Sequence, residues 1–383
     1  MKFPKKLHKK LTERKEKSAL RTLSLQTDLI DFSSNDYLGL SKSKAIFQKT
    51  HQYLIDTNLQ QNGATGSRLL SGNHQLYEDV ESQLCDFYNS ESATIFNSGY
   101  DANIGFFSSV PQRGDIILYD TLIHASIRDG IRLSNAKSYS FKHNDLEDLS
   151  KKILRFTQND SNIYVVTESV FSMDGDSPDL AKMSQILKKN NAHLIVDEAH
   201  AVGVFGKNGC GLIQELGIES EVFARIITFG KALGCHGAVI LGTKELKEYL
   251  VNFSRSLIYT TALPPHSLAT IKMAYEQLVI LNDSEESPIK ILHQNIQYFK
   301  SVIKKYNFQE KFIESSSSIQ CCIISGNENV KKVAASIREK GFDVKPILSP
   351  TVSQGEERLR FCLHSYNSEK EIDKVLKLLA TFV

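Results

Sequence analysis

Ala224-Arg-Ile-Ile-Thr-Phe-Gly-Lys-Ala-Leu-Gly-Cys-His-Gly-Ala238 joins an apolar, β-rich run directly to a lysine set between glycines. Ile226-Ile-Thr-Phe229 has the composition of a buried strand, and Lys231 follows it between Gly230 and Gly234. Such a layout carries an amine off a strand end through a permissive turn and lets a ligand come close. An amine held there loses hydration, its pKa falls, and it can form a Schiff base. Taken alone, a lysine after a strand is a solvated surface group. The weight therefore falls on what surrounds it.

Working outward, similar short apolar runs recur at Thr94-Ile-Phe96, Asp115-Ile-Ile-Leu-Tyr119, Ile163-Tyr-Val-Val-Thr167, Leu194-Ile-Val196 and Gly237-Ala-Val-Ile-Leu241. Runs of this length without polar alternation are typical of strands buried on both faces of a parallel sheet. Helices are expected over Gln75–Tyr88, from about Ala102 and from near His124. Gln61–Gly72 is too rich in glycine for a helix. This predicts an α/β domain with a mostly parallel sheet over residues 46–280. Before it, residues 1–45 read as a helix over 4–22, ending near Ala19-Leu-Arg21, and then an extended polar segment. Beyond Leu281 the texture changes: a loop, a long helix to about Tyr306, and strands near 318–324, 342–347 and 358–363. Helices near 328–340 and 368–381 complete a smaller α+β domain over 281–383.

The chain has 383 residues and a net charge of +2, with 41% hydrophobic and 23% charged residues, which is ordinary for a globular protein. The charge is uneven, because residues 1–21 hold nine Lys/Arg and two Glu, a net +7, leaving −5 elsewhere. A basic stripe can attract nucleic acid or anionic lipid, but no nucleic-acid motif accompanies it, and a charged helix covering the protein body is the expectation. No apolar segment follows the N-terminal lysines, as a secretory signal requires, and no apolar run is long enough to span a membrane. The six cysteines show no CxxC spacing. A zinc site is therefore not expected, and a cytoplasmic setting is.

Four features at strand ends, where ligands gather in open α/β sheets, give Lys231 its context. Asp197 closes a strand in Ile195-Val-Asp-Glu-Ala-His200. A buried carboxylate needs a cationic partner, and the protonated pyridine nitrogen of an electron-sink cofactor is one such partner. Asp197 and His200 three residues apart, with Lys231 downstream, form a more specific pattern than any member alone. Asn97-Ser-Gly-Tyr100 lies at a strand-to-helix junction where free amides bind phosphate, although an ordinary turn reads the same way. His124 offers a ring for stacking or for acid–base work, or a helix cap. Ser172 lies in Glu168-Ser-Val-Phe-Ser-Met-Asp-Gly-Asp176, a polar loop after another buried strand. On a late strand candidate, Arg360 has the geometry to clamp a carboxylate if it faces inward.

Together these stretches resemble the α-oxoamine synthases, fold-type I pyridoxal phosphate enzymes that condense an amino acid with an acyl thioester. The resemblance covers nearly the whole chain. It rests on Phe32-Ser-Ser-Asn-Asp-Tyr-Leu-Gly39, Gly66-Ser-Arg-Leu-Leu-Ser-Gly72, Phe171-Ser-Met-Asp-Gly-Asp176, Val196-Asp-Glu-Ala-His200, Thr228-Phe-Gly-Lys231 and Ile258-Tyr-Thr-Thr-Ala-Leu-Pro264. It implies that Lys231 carries the cofactor as a Schiff base and later acts as base. Asp197 pairs with the ring nitrogen, His200 with the phenolic oxygen, and His124 stacks on the ring. By the same resemblance Gly99, Tyr100 and Thr228 hold the phosphate, Ser172 lies beside the cofactor, and Thr260 or Thr261 reaches the phosphate of a neighbouring subunit in a homodimer. Arg21, Asn35, His124, Thr351 and Arg360 contact substrates. The early motifs match the branch that condenses L-alanine with a pimeloyl thioester in biotin biosynthesis. The alternatives are glycine with acetyl-CoA, or a non-catalytic pyridoxal-binding subunit. A nicotinamide dehydrogenase is disfavoured, because no GxGxxG opens a strand–turn–helix unit.

Overall fold

A computed structural model describes residues 3–23, 28–157, 161–282, 284 and 286–382. The chain divides into two compact units, Met1–Ser34 with Met173–Asp176 and Ile291–Val383, and Asn35–Ser172 with Ser177–Lys290. The N-terminal segment is thus not a separate piece, and the second break falls at 290 rather than 281.

In chain order, the elements begin with α1 (Lys5–Glu16), β1 (Ile30–Asp31), α2 (Lys44–Asp56), α3 (Gln75–Tyr88), β2 (Ser92–Phe96), α4 (Gly99–Ser109), β3 (Ile116–Asp120) and α5 (Ala125–Leu133). They continue with β4 (Lys137–Phe141), α6 (Leu146–Phe156), β5 (Ile163–Glu168), α7 (Leu180–Lys189), β6 (His193–Asp197), α8 (Leu212–Glu215), β7 (Ala224–Thr228) and β8 (Ala238–Gly242). Next come α9 (Lys244–Phe253), α10 (Arg255–Ile258), α11 (Pro265–Asn282), α12 (Pro288–Lys305), β9 (Ile319–Ile323) and α13 (Asn327–Glu339). The chain closes with β10 (Phe342–Asp343), β11 (Lys345–Ile347), β12 (Arg358–Cys362) and α14 (Glu369–Leu379).

The larger unit is built on a seven-stranded sheet in the order β2-β8-β7-β6-β5-β3-β4. Successive residues of its central strands alternate between two cores. Ile117, Val166, Ile195 and Ile226 pack with Phe106 of α4, Ile127 of α5 and Leu250 of α9 on one face. Ile116, Val165, Leu194 and Val196 pack with Leu149 of α6 and Met183 of α7 on the other. Both faces being covered, the strands read as unbroken apolar runs. Each such fully buried aliphatic side chain contributes roughly 1.5–3 kcal/mol.

Only β8 runs against the other strands, antiparallel to both β2 and β7. The reason is length. Residues 229–237 are all that separate β7 from β8, too few for a helical crossover. The chain must fold straight back, and the lysine stretch becomes that return: the Phe229 N–H donates to the Gly237 carbonyl and the Cys235 N–H to the Phe229 carbonyl, at 2.9 and 2.8 Å. Gly234 turns the corner at φ +62°, where a Cβ would collide with the Ser41 main chain.

A strand missing from the sequence reading and a helix that starts early both have clear reasons. β4 (Lys-Ser-Tyr-Ser-Phe) is an edge strand whose first residues are exposed, so it lacks an apolar run, and its lysine suits an edge. α4 begins at Gly99 rather than near Ala102, because the Ser98 hydroxyl accepts the Asp101 N–H at 3.1 Å and caps the helix early.

In the smaller unit β1 pairs in parallel with β10, and β11, β12 and β9 form an antiparallel sheet. Phe32, fully buried, meets Phe342 and Phe361 at centroid distances of 6.1 and 6.4 Å. That packing ties the N-terminal segment to the C-terminal one. The strand expected over 342–347 is two short strands, one pairing with β1 and the other with β12. The helix expected over 4–22 stops at Glu16: Ser18 adopts φ +49°, the Ala19 N–H returns to the Arg14 carbonyl at 2.8 Å, and Ala19 is buried. No described helix is long and apolar enough to cross a membrane.

The strand ends near Asp197 are locked by a buried ion pair. Glu198 Oε2 accepts from Arg225 Nε at 2.9 Å and from Nη2 at 2.6 Å, and its Oε1 accepts the Ile213 N–H at 3.1 Å. Breaking one half of such a pair leaves an uncompensated charge. Arg225→Met is expected to destabilise the protein by about 3–5 kcal/mol, read as a lowered denaturation midpoint. Adding Glu198→Gln is expected to recover much of that loss.

Candidate active site

β2, β3, β5, β6 and β7 all point the same way, and the connections leaving their carboxyl ends carry the residues singled out from the sequence. In the larger unit these are Gly99 and Tyr100 after β2, His124 after β3, Ser172 after β5, Asp197 and His200 at and after β6, and Thr228 and Lys231 at and after β7.

Asp197 is buried, and its carboxylate is gripped by two neutral donors. Asn103 Nδ2 of α4 donates to one oxygen and the Ala199 N–H to the other, each at 2.9 Å. Asn103 also donates to Ser126 Oγ at 3.0 Å, linking α4 to the first turn of α5. His200 is buried and shares a 2.6 Å hydrogen bond between its Nδ1 and the Tyr37 hydroxyl, which also donates to Asn35 Oδ1 at 3.3 Å. Asn35, Tyr37 and His200 therefore form one chain of polar contacts.

His124 is the N-cap of α5: its Nδ1 accepts the Ser126 N–H at 3.2 Å and lies 2.7 Å from Ser126 Oγ. Its ring is open to solvent on one side, but loss of hydration among its neighbours lowers its pKa. Asp197 opposes that shift and Lys231 adds to it. The ring is accordingly neutral near pH 7. The cap and the stacking face occupy different parts of the imidazole, so both readings of His124 are compatible.

The first turn of α4 faces β7, and a Cβ placed on Gly99 would come within 3.4 Å of Thr228 Cβ. Thr228 Oγ1 donates to the Gly237 carbonyl at 3.3 Å. The helix start, with main-chain N–H groups that have no intrahelical acceptor, thus sits against the threonine that precedes the lysine turn. The Tyr100 side chain is directed elsewhere, donating to Asp129 at 2.8 Å, so any contribution of Tyr100 at this point comes from its main chain. Asn97 Nδ2 donates to Thr260 Oγ1 at 3.0 Å and to the Thr261 carbonyl at 2.7 Å, bringing that loop to the end of β2 in the same chain.

Arg21, Thr351 and Arg360 belong to the smaller unit. Arg21 Nη2 donates to Thr351 Oγ1 at 3.4 Å, so these two residues meet. Arg360 is buried on β12 and its Nη1 contacts Cys362 Sγ at 2.9 Å. Its strand neighbour Arg358 pairs instead with Asp174. Two residues of the larger unit's cluster carry no role in the sequence reading. Tyr37 lies inside a quoted motif, but its contact with His200 spans 163 positions and has no local signature. Asn103 did leave a signal, as a lone amide in the apolar run Ala102-Asn-Ile-Gly-Phe-Phe107.

The class I and II aminotransferase family model matches residues 27–379. An 8-amino-7-oxononanoate synthase from Emericella nidulans is 41% identical, over 98% of this chain and 95% of that protein. The chain belongs to the α-oxoamine synthase branch of that family. Solved members superpose closely. Serine palmitoyltransferase from S. paucimobilis, with a bound PLP–myriocin aldimine, gives a TM-score of 0.87 at 26% identity, covering 98% of this chain and 96% of that one. The 8-amino-7-oxononanoate synthase of Francisella tularensis gives 0.77 at 31% identity, covering 92% and 97%. The family's fold is therefore the fold described above.

Asn103→Ala removes a donor from a buried carboxylate, a bond worth about 1.5–3 kcal/mol. The variant is expected to lose about that much unfolding free energy, read as a lower urea midpoint, while a surface control such as Lys151→Ala leaves the midpoint in place.

Proposed function

We propose that this chain condenses L-alanine with a pimeloyl thioester to give 8-amino-7-oxononanoate, CO2 and the free thiol, using pyridoxal 5'-phosphate. The observation that carries this reading is the 41% identity, over almost the full chain, to an 8-amino-7-oxononanoate synthase. The strand-end residues fit the cofactor. The donors on Asp197 are both neutral, so its charge suits a cationic ring nitrogen. The start of α4 at Gly99, lying against the Thr228 side chain, suits a phosphate.

When bound, the cofactor supplies an electron sink for the pair released at the amino acid's α-carbon. The protein's own groups do the rest. Lys231 would hold the cofactor through its Nζ, and its free amine would take up the α-proton. Asp197, fixed by Asn103, would pair with the protonated ring nitrogen. His200, oriented through its Nδ1 by Tyr37, would pair with the phenolic oxygen, and the neutral His124 ring would flank the cofactor. The main chain at Gly99 and Tyr100 and the Thr228 hydroxyl would hold the phosphate, with Ser172 alongside.

Asn35, held by the Tyr37 hydroxyl, contacts the substrate while its α-carbon attacks the thioester carbonyl. Thiol leaves, CO2 is lost from the β-keto acid, and a proton returns to the α-carbon. The working form is a homodimer with the site at the subunit interface, Thr260 or Thr261 reaching the neighbouring phosphate.

The purified holoprotein would be given alanine, glycine or serine with pimeloyl-, acetyl- or palmitoyl-CoA, and products identified by mass. 8-Amino-7-oxononanoate from alanine and pimeloyl-CoA is expected. Turnover only with glycine and acetyl-CoA, or only with serine and palmitoyl-CoA, would replace this reading. Lys231→Ala is expected to lose the visible absorbance of the covalently bound cofactor and at least ~10³-fold in rate, the scale of an activated nucleophile and base acting together.

A further inference from the structure

Glu168 ends β5 where Asp197 ends β6, and the two are partners in the parallel ladder. Ladder partners project from the same face of a sheet, with their strands about 4.8 Å apart. The two carboxyl groups therefore stand side by side on the face covered by α4, whose Asn103 donates to Asp197. Glu168 is only 3% exposed, and its Oε1 has no hydrogen-bond partner among the described residues. Two carboxylates so placed repel, and burial without full hydrogen bonding penalises the charged form further.

The charged and titratable groups bearing on Glu168 come from every neighbouring element. Asp197 on β6 and Asp120 on β3 disfavour its ionisation, while Lys231 and the His124 main-chain N–H favour it. Asp120 is itself engaged by His143 Nδ1 at 2.9 Å. Burial, followed by Asp197, prevails and pushes the Glu168 carboxyl up to about 8.

We propose that Glu168 serves this site as a neutral carboxylic acid, a positioning residue that keeps Asp197 the single anion of the pair beside Lys231. Ionised, Glu168 would place a second negative charge near Lys231 and raise the proton affinity of an amine that must be unprotonated to act as a base. This consequence for catalysis rests on the proposed function, whereas the state of the proton does not.

The sign of the pH effect follows. The unfolded chain gives up this proton near 4.5, and the folded one holds it to about 8. The stabilisation due to the held proton is full below 4.5 and is lost as pH rises through about 8. Glu168→Gln keeps a neutral side chain of the same shape and has no such step.

Three measurements test the proposal. The melting temperature of the wild-type cofactor-free protein is expected to fall relative to that of E168Q between pH 4.5 and about 8 and then to run parallel; parallel curves throughout would overturn the proposal. Infrared spectra of the wild type at pH 7 are expected to show a buried protonated-carboxyl band that is absent from E168Q and fades above pH 8. A band unchanged by E168Q would also overturn it, and a fading band in the wild type supports it even where E168Q folds poorly. In the holoenzyme, kcat is expected to fall at alkaline pH through a one-proton step that E168Q removes. Superimposable profiles would overturn the positioning role even with the proton in place. Absence of turnover in the wild type, with the first two results as expected, would point instead at the functional reading.

Discussion

A buried carboxylate at the end of a buried strand is the constraint around which the larger unit is arranged. Asp197 cannot remain charged among apolar side chains without compensation. The fold supplies it from both directions along the chain: the Ala199 N–H two residues on, and the Asn103 amide from α4. Placing Asn103 there requires α4 to start at Gly99, which Ser98 secures by capping. The same early start sets the first turn of α4 against Thr228. The helix that meets the electrostatic requirement of Asp197 is thus the one whose first turn lies against Thr228.

The second constraint is geometric. The short return between β7 and β8 forces an antiparallel strand into an otherwise parallel sheet and suspends Lys231 at the turn. A helical crossover at this point would have carried the lysine away from the strand ends. The Phe229 and Cys235 main-chain hydrogen bonds close the return, so the amine projects from a rigid base rather than a loose loop. Beneath it, the Glu198–Arg225 pair pins β6 to β7. The ends of these two strands thus depend on a charge pair buried away from solvent.

Much of this was legible in the sequence because it is local. Apolar runs announced most of the strands, and the quoted motifs announced the family. What escaped depends on distant partners. The direction of β8 follows from the length of its connection, which was readable, but not from its own residues. β4 is hidden by its exposed edge, and Glu168 read as part of a polar loop because its significance lies in lying opposite Asp197.

By itself the sequence determined the strand composition, the lysine turn, the paired Asp197 and His200, and the family to which they belong. These are properties of residue type and short spacing. Tertiary structure alone decided that the N-terminal segment packs with the C-terminal one through Phe32, that Tyr37 orients His200, and that Glu168 stands beside Asp197. Each of these is a contact between residues far apart in the chain, whose energy exists only once backbone pairing and burial bring them together. The protonation of a buried acid is the clearest case, since it depends on the charges around it and on nothing in its immediate sequence.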